Sequence, residues 1–525
     1  MKPLFSNPNE IEKSVKEKYA VPLCVMMENA AETLAKVITD VFDNDGRGEK
    51  FFSEKGFEDI IFVCGKGNNG ADGIAAARKL FWKLPVKILL LEKPVIKTST
   101  SKDESHFQNE AFVQFSMAKK LKIPFISKTE FKTLAASKNK FIIVDCIYGT
   151  GFHGELSKTD SEIIEIMNKT NGFKIACDIP SALKFKADIT VTMGTLKTCL
   201  YSDESKNVCG EIVLSELGIS ENIFSKDAKP DAYLLEECDI TLPFRTEKTT
   251  HKGKFGHAII VAGEKSGAAV MASEAALSFG AGLVSIFKTP SSNLSQFKIS
   301  PELMITENYP KNTTAVLIGS GLGVNCNRTV LDFFEWFNAS KNPSCVLDAD
   351  FFSLDFEKIF GGKYSLSKIL SGMNSVPGTK IVLTPHAKEL CVIYEKCLRN
   401  NTLNQDKNQF KNQFTEEYSP TEILNHRIEI GKAFTKKYPN ITLVMKGANT
   451  FIASNGEIFV FDGGAQNLSK GGSGDVLAGM ITSLLAQGYS SKDATITGVF
   501  RHGTAGSEFG KTAYNLTPKK LIELI

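Results

Sequence analysis

Residues Asp59–Gly73 read DIIFVCGKGNNGADG. The stretch from Ile60 to Cys64 is apolar without a break, and shows none of the alternation of a strand with one wet face. Such a run suits a strand covered on both sides, as in a parallel sheet. It stops at Gly65, and a helical pattern is expected from Ile74 to Leu80. Between them lies GKGNNGADG, whose glycines permit φ > 0 and let backbone N–H groups converge on an anion at a helix N-terminus. Alone, the stretch also fits a tight strand–helix turn that binds nothing. A dinucleotide dehydrogenase is set aside, because the loop does not read as the spaced G-x-G-x-x-G fingerprint and no acidic residue ends a second strand roughly 20 residues on; VKILLLEKP offers only Glu92, in a different setting.

The same pattern recurs outward along the chain. Apolar runs stand at Val86–Leu91, Phe141–Cys146, Lys174–Ile179, Gly256–Gly263, Ala315–Ser320, Ser344–Asp350, Lys380–His386 and Ile441–Gly447. Helical stripes lie between them, among them Met26, Met27, Ala30, Ala31, Leu34, Val37 and Ile38, and later Val476, Leu477, Met480, Ile481 and Leu484. Strand–helix alternation predicts doubly wound α/β architecture, which carries its ligand loops at the carboxyl ends of the strands. The polar and glycine-rich clusters GKGNNGADG, DCIYGTGFHG, CDIPS, GEKSG, GSGLG, DAD, TPH and KGANT each follow one of these runs. Two active-site rims are therefore expected. The polar stretch 218–244, with Pro230 and Pro243, is expected to link a domain of residues 1–217 to one of residues 245–525. The Asn/Gln-rich stretch 400–420 reads as a solvated insertion.

A chain of 525 residues exceeds a single core. Sixty-two Lys and Arg against 59 Asp and Glu give a net charge of +3, which offers no reason to expect a nucleic-acid or membrane-surface partner. The eleven cysteines include no C-x-x-C pair, so reduced, buried thiols are expected rather than a zinc site or a disulfide framework. The N-terminus lacks an apolar signal core, and no apolar run is long enough to span a bilayer; a cytoplasmic location is the expectation.

In the N-terminal half, Asp145 follows one strand and precedes Gly149-Thr150-Gly151, and Asp178 follows another and opens DIPS, ending at Ser181. A strand-end carboxylate either caps a helix or needs a metal, a ligand or a donor cluster, because burying it unpaired is costly. The blocks MMENAAETLA, GKGNNGADG, DCIYGTGFHGEL, CDIPSAL and ADITVTMGTLK occur in order between Met26 and Lys197. Together they resemble the NAD(P)H-hydrate epimerase family. The resemblance implies a Rossmann-like three-layer fold and interconversion of the two epimers of hydrated NADH or NADPH. It implies K⁺ on Asn69, Asp145 and Ser181. It puts the hydrate on Asn68, Asn69, Gly70, Ala71, Asp72, Gly149, Thr150, Gly151, Phe152, His153, Gly154, Glu155 and Asp178. Asp178 is the candidate for proton transfer and Lys197 its charge partner. The chain has Ala71 where that family usually has Gly, and Ala182 where DIPSG is usual.

In the C-terminal half the informative block is GGSGDVLAGMI, Gly471–Ile481. Gly472 and Gly474 free backbone N–H groups at the start of an apolar helix, where phosphate charge is stabilised. Asp475 in that first turn suits a base that takes the proton from a hydroxyl attacking a nucleotide's terminal phosphate; it also suits a simple capping residue. With HKGKFGHAIIVAG, IGSGLG, VLDAD, LTPHAKEL and MKGANT, the block resembles a ribokinase-like fold. More narrowly it resembles the ADP/ATP-dependent NAD(P)H-hydrate dehydratase family. That implies phosphorylation of the hydrate's hydroxyl and elimination of phosphate. Ala268, Gly321, Gly323, His386 and Asp475 would face the hydrate, and Lys446, Gly447, Ala448, Asn449, Thr450 and Gly474 the nucleotide. Asp475 would be the base. Mg²⁺ and ADP or ATP are implied, with ADP favoured by the fused arrangement. The chain has Ser320 where Pro is usual, and Ala387-Lys388 where Pro-Gly is usual.

The expectation is thus a bifunctional isomerase and lyase that repairs nicotinamide nucleotides: it epimerises the hydrates and dehydrates the S epimer. The alternative is a ribokinase-like small-molecule kinase with a non-catalytic N-terminal nucleotide-binding domain. Self-association is in keeping with Rossmann-like domains of this kind.

Overall fold

The computed structural model of the protein describes residues 1–43, 56–93, 110–152, 154–362, 364–399 and 417–525. The chain divides into two compact units, Pro3–Pro230 and Asp231–Ile525, with Met1–Lys2 grouped with the second.

In the first unit seven strands form one parallel sheet. The order is Phe125–Ile126, Val86–Leu90, Asp59–Cys64, Phe141–Cys146, Gly172–Cys177, Ile189–Met193, Glu211–Ser215. Counted along the chain from Asp59–Cys64, that is 3-2-1-4-5-6 with one strand added, the Rossmann arrangement. Every residue of Asp59–Cys64 and Phe141–Cys146 is buried. Successive side chains leave opposite faces. Ile60, Phe62 and Cys64 pack with the helices Leu23–Phe42 and Asn68–Leu80, and Ile61 and Val63 pack with Phe131, Ile163, Ile164 and Met167. The strand order reverses between the two central strands, so their carboxyl-end loops part and leave a crevice.

The helix after the first glycine loop starts at Asn68, not Ile74. Much of what reads as loop is therefore its first turns. Gly65, Gly67 and Gly70 do carry G-x-G-x-x-G spacing, and the third allows close helix–strand approach, because a Cβ on Gly70 would lie 2.0 Å from the Gly65 carbonyl oxygen. Gly73 is equally tight: a Cβ there would lie 2.4 Å from Cys146 Sγ.

Ala182 sits at φ 52°, ψ 23°, in the left-handed region. An L-residue with a Cβ is disfavoured there by about 1–2 kcal/mol, and glycine is not. Ala182→Gly is therefore expected to raise stability by about 0.5–1 kcal/mol, after allowing for glycine's freer unfolded chain. A denaturant midpoint that rises at unchanged slope is the expected result; an unchanged or lower midpoint contradicts it.

In the second unit the sheet order is Met304–Thr306, Leu283–Lys288, His257–Ala262, Ala315–Ile318, Ser344–Leu347, Lys380–Leu383, Ile441–Met445, Thr450–Ser454, Glu457–Phe461, Ala232–Leu234. The pairings are parallel except the two made by Thr450–Ser454 with its neighbours. Order again reverses, between His257–Ala262 and Ala315–Ile318. The helix Ser473–Ala486 is apolar nearly all round, as a fully buried helix must be. Gly479 brings it against the helix Ser266–Ser278, since a Cβ would meet the Ala272 carbonyl oxygen at 2.2 Å.

The stretch 218–244 holds more structure than a linker. Ala232–Leu234 pairs with Glu457–Phe461, Tyr233 opposite Phe459. Three residues are too few to show a period, so only the partner strand makes this one visible. Of the Asn/Gln-rich stretch, residues 400–416 lie outside the described residues. Seven cysteines are buried as expected, but Cys24 and Cys238 are exposed. Among the described residues no helix is long and apolar enough to cross a membrane.

Candidate active sites

The crevice of the first unit is a cavity of about 440 Å³. The first turns of the helix Asn68–Leu80 bring Asn68, Asn69 and Asp72 to it, and the loop after Phe141–Cys146 brings Gly149, Thr150, Gly151 and Phe152. Asp178 enters from the end of Gly172–Cys177.

Asp178 has φ 71°, a conformation Asp tolerates better than most side chains. Its N–H donates to the Val191 carbonyl at 2.7 Å, and this turns the carboxylate toward the cavity. Oδ1 meets Lys197 Nζ at 2.8 Å, and Oδ2 accepts the Thr150 N–H at 3.1 Å. A Cβ on Gly149 would lie 2.8 Å from Oδ2, so this loop position must stay bare. The Lys197 side chain is 2% exposed, and its Nζ also donates to Thr192 Oγ1 and to the Met193 carbonyl, each at 2.8 Å. A buried ammonium so fully bonded is held in one place beside its carboxylate.

Asp145 is fully buried behind the cavity. Oδ1 accepts Ser181 Oγ–H at 2.7 Å and the Ile147 N–H at 3.1 Å, while Oδ2 accepts the Ser181 N–H at 2.7 Å. Burial pushes its carboxyl up to about 6 against those hydrogen bonds. Asn69 is the unsatisfied member: both its amide atoms are buried without a partner. A buried amide is rarely left so, and its oxygen together with the Asp145–Ser181 pair fits a hard monovalent cation.

Three expectations for this rim change. Gly70 and Ala71 do not line the cavity, because the helix has already begun and turns them inward; Ala71 is buried with Met27 and Ala111. The Ala71 methyl therefore cannot narrow an approach to phosphate. Gly154 and Glu155 are exposed and lie outside the lining. His153 lies outside the described residues. Conversely, Glu12 of the helix Pro8–Tyr19 lines the cavity, with no loop glycine or strand end in the sequence to announce it.

In the second unit the strand ends converge on the N-terminus of Ser473–Ala486. Gly472, at φ 94°, precedes the helix; its Cβ would strike Met271 and Pro518. Asp475 lies in the first turn, and the Gly474 Cβ position is 3.5 Å from Lys446 Nζ. Asp348 anchors the group. Its Oδ1 accepts from Thr384 Oγ1 at 2.7 Å and from Lys446 Nζ at 3.4 Å, and its Oδ2 accepts from Ser320 Oγ at 2.8 Å. Burial and the Asp348 charge push the Asp475 carboxyl up to about 6, while Lys446 and Ser320 act the other way. Beneath the turn His502 contacts Ser473 through Nε2, 3.0 Å from the Ser473 carbonyl, and burial lowers its ring to about 4. Asp348 was legible only as one polar residue of DAD, and His502 not at all, because it lies mid-helix.

The remaining rim residues fall as follows. A Cβ on Gly321 would be 3.2 Å from Ala268 Cβ, and one on Gly323 would strike the Glu264 carboxyl, so these segments meet at the strand-order reversal. The Lys446 N–H donates to the Pro385 carbonyl at 3.2 Å, joining KGANT to TPH. Gly447, Ala448 and Thr450 follow in that turn, and the Asn449 carbonyl is held by Arg427 Nη1 at 2.6 Å. His386 is half exposed and caps its own helix. Glu389 N–H donates to Nδ1 at 3.2 Å, and Nε2 is 3.1 Å from Glu389 Oε1. A hydrate reaching His386 would therefore replace a bond it already makes.

Fold and sites together define a Rossmann-like unit with a carboxylate–ammonium pair, fused to a second doubly wound α/β unit with an acidic residue in the first turn of a buried helix. Comparisons with known proteins carry this further. Residues 258–525 match the family model described as NAD(P)H-hydrate dehydratase, and residues 23–199 match that described as YjeF-related protein N-terminus. The bifunctional NAD(P)H-hydrate repair enzyme Nnr of Helicobacter pylori is 33% identical over 531 residues, 99% of each chain. The enzyme of the same name from Escherichia coli is 27% identical, over 85% of this chain and 79% of its own. A solved ADP/ATP-dependent NAD(P)H-hydrate dehydratase from Bacillus subtilis, co-crystallised with ATP and Mg²⁺, is 24% identical at TM-score 0.41; it covers 54% of this chain and 92% of that one. The chain belongs to the family of bifunctional NAD(P)H-hydrate repair enzymes.

Proposed function

We propose that the first unit interconverts the two epimers of hydrated NADH or NADPH, and that the second dehydrates the S epimer with ADP, or ATP, as phosphoryl donor. The observation that carries the reading is the meeting of Asp475 and Lys446 at one helix N-terminus. Backbone N–H groups and an ammonium gather phosphate charge there, while a carboxylate beside them takes a proton. Asp475 removes the proton of the hydrate's C6 hydroxyl as the hydroxyl oxygen attacks the terminal phosphorus, and the bridging P–O bond breaks to release AMP from ADP, or ADP from ATP. The phosphate ester then leaves C6 as inorganic phosphate while C5 loses a proton, and this restores the ring double bond. Lys446 with the turn Gly447, Ala448, Asn449 and Thr450 holds the nucleotide. Ala268, Gly321, Gly323 and His386 border the hydrate. Mg²⁺ would be held by the nucleotide's phosphates together with Asp348 or Asp475, the carboxyls that act with Lys446 here, and would offset phosphate charge.

In the first unit Asp178 exchanges the hydroxyl proton, and Asn68, Asn69, Asp72 and the Gly149–Phe152 turn hold the hydrate. K⁺ would lie on Asn69, Asp145 and Ser181, where it would supply the positive charge that the buried carboxyl lacks. We place this work in the cytoplasm, on small-molecule substrates.

The test is a coupled assay of the full chain with mixed hydrate epimers, Mg²⁺ and ADP or ATP. Recovery of dihydronicotinamide absorbance, with equal release of phosphate, is the expected result. A phosphorylated product that accumulates without that recovery identifies a small-molecule kinase instead.

A further inference from the structure

The epimerase cavity contains more acid than the reading above uses. Glu12, Asp72 and Asp178 all line it; Lys66, also in the lining, is exposed and paired with Glu92, and one buried ammonium, Lys197, lies against Asp178. That ammonium is taken up by Asp178, Thr192 and Met193. Glu12 stands on the amphipathic helix Pro8–Tyr19, beside its buried positions Ile11 and Val15, and is carried into the cavity by the packing of that face. Among the described residues it makes no ion pair. Burial, and then the Asp178 charge, raise its carboxyl, with Lys197 acting the other way. Glu12 thus feels both charges of the Asp178–Lys197 pair. Asp72, also in the lining, is raised by burial and by the charges of Asp178 and Glu12.

Two carboxyls on one cavity, one paired with Lys197 at 2.8 Å and the other without an ion pair among the described residues, can work together as base and acid. Epimerisation of a ring carbon bearing both a hydroxyl and the ring nitrogen requires both at once. Resting on the epimerase reading, we propose that Glu12 is a second catalytic residue, the general acid that works against Asp178. Asp178 removes the hydroxyl proton, the C6–N1 electron pair goes to nitrogen, and Glu12 delivers its proton to N1. This leaves an aldehyde at C6. After rotation about C5–C6, Glu12 takes back the N1 proton, nitrogen attacks the other face of the aldehyde, and Asp178 returns its proton to the oxygen. Both carboxyls end as they began, and no outside reagent is consumed.

Glu12→Gln keeps the shape and removes the transferable proton. With the full chain and no nucleotide, epimer exchange followed by chromatography is expected to fall in kcat by about a hundredfold or more, while the hydrate's Kd stays within a few-fold. Glu12→Asp should keep a measurable part of the rate, and ADP-dependent recovery from pure S epimer should match wild type in both variants. Exchange by Glu12→Gln within twofold of wild type overturns the proposal, as does loss of exchange in Asp72→Asn with retention in Glu12→Gln. Absence of exchange in the wild-type chain is a separate result, which overturns the epimerase reading itself.

Discussion

Asp475→Asn is expected to lose ADP-dependent recovery of NAD(P)H from the S epimer by about a thousandfold or more, with exchange between the epimers at the wild-type rate. The loss follows from the geometry: an amide at the start of Ser473–Ala486 keeps the helix turn and cannot take the hydroxyl proton. The same change should stabilise the protein at neutral pH. The Asp475 carboxyl titrates at about 6 in the fold against 3.8 for the free group. The folded state thus binds the proton more tightly than the unfolded chain. Its stability contribution is full below about 3.8 and is lost as pH rises through 6. Above that, a charge is held beside buried Asp348, and the amide relieves this, by about 2 kcal/mol after allowance for its partial exposure. Denaturant midpoints at pH 7.5 should favour Asp475→Asn, with the advantage gone at pH 4. In wild type the dehydratase rate should climb through pH 6 as the base ionises. An active Asp475→Asn chain, or a rate flat across that range, contradicts the assignment.

Asp178→Ala is expected to reduce epimer exchange by a similar factor and leave dehydration of pure S epimer intact. Here catalysis and stability fall together, the reverse of the first case. Lys197 Nζ loses the carboxylate 2.8 Å away and remains a buried cation facing hydroxyl and carbonyl oxygens. Removing one partner of such a pair costs about 3–5 kcal/mol. Lys197→Met in the Asp178→Ala background should recover most of that stability and none of the exchange. If Asp178→Ala exchanges epimers at the wild-type rate, the first unit is a binding module and its pair is structural.

Much of this architecture was readable before any coordinates. Unbroken apolar runs closed by glycine or aspartate marked Asp59–Cys64, Phe141–Cys146 and Ile441–Met445 to within a residue or two, because strands buried on both faces leave no other pattern. Short strands such as Phe125–Ile126 and Ala232–Leu234 were not readable, since two or three residues show no period. Residues at strand ends could be nominated as site residues because doubly wound sheets collect their loops on that edge. That rule also nominated too much. Gly70 and Ala71 sit in a cluster that reads as loop, yet hydrogen bonding begins the helix at Asn68 and faces them into the packing.

Local order in the chain settled the two sheets, their rims and the families they resemble, since periodicity, glycine spacing and strand-end acids are short-range features. Which acid meets which cation is a long-range matter. Glu12 lines one cavity with Asp178, Asp348 ties Ser320 and Thr384 to Lys446, and Asn69 is left without a partner, through segments far apart in sequence. Their protonation follows from burial and neighbouring charge, and those exist only once the sheets have closed around them.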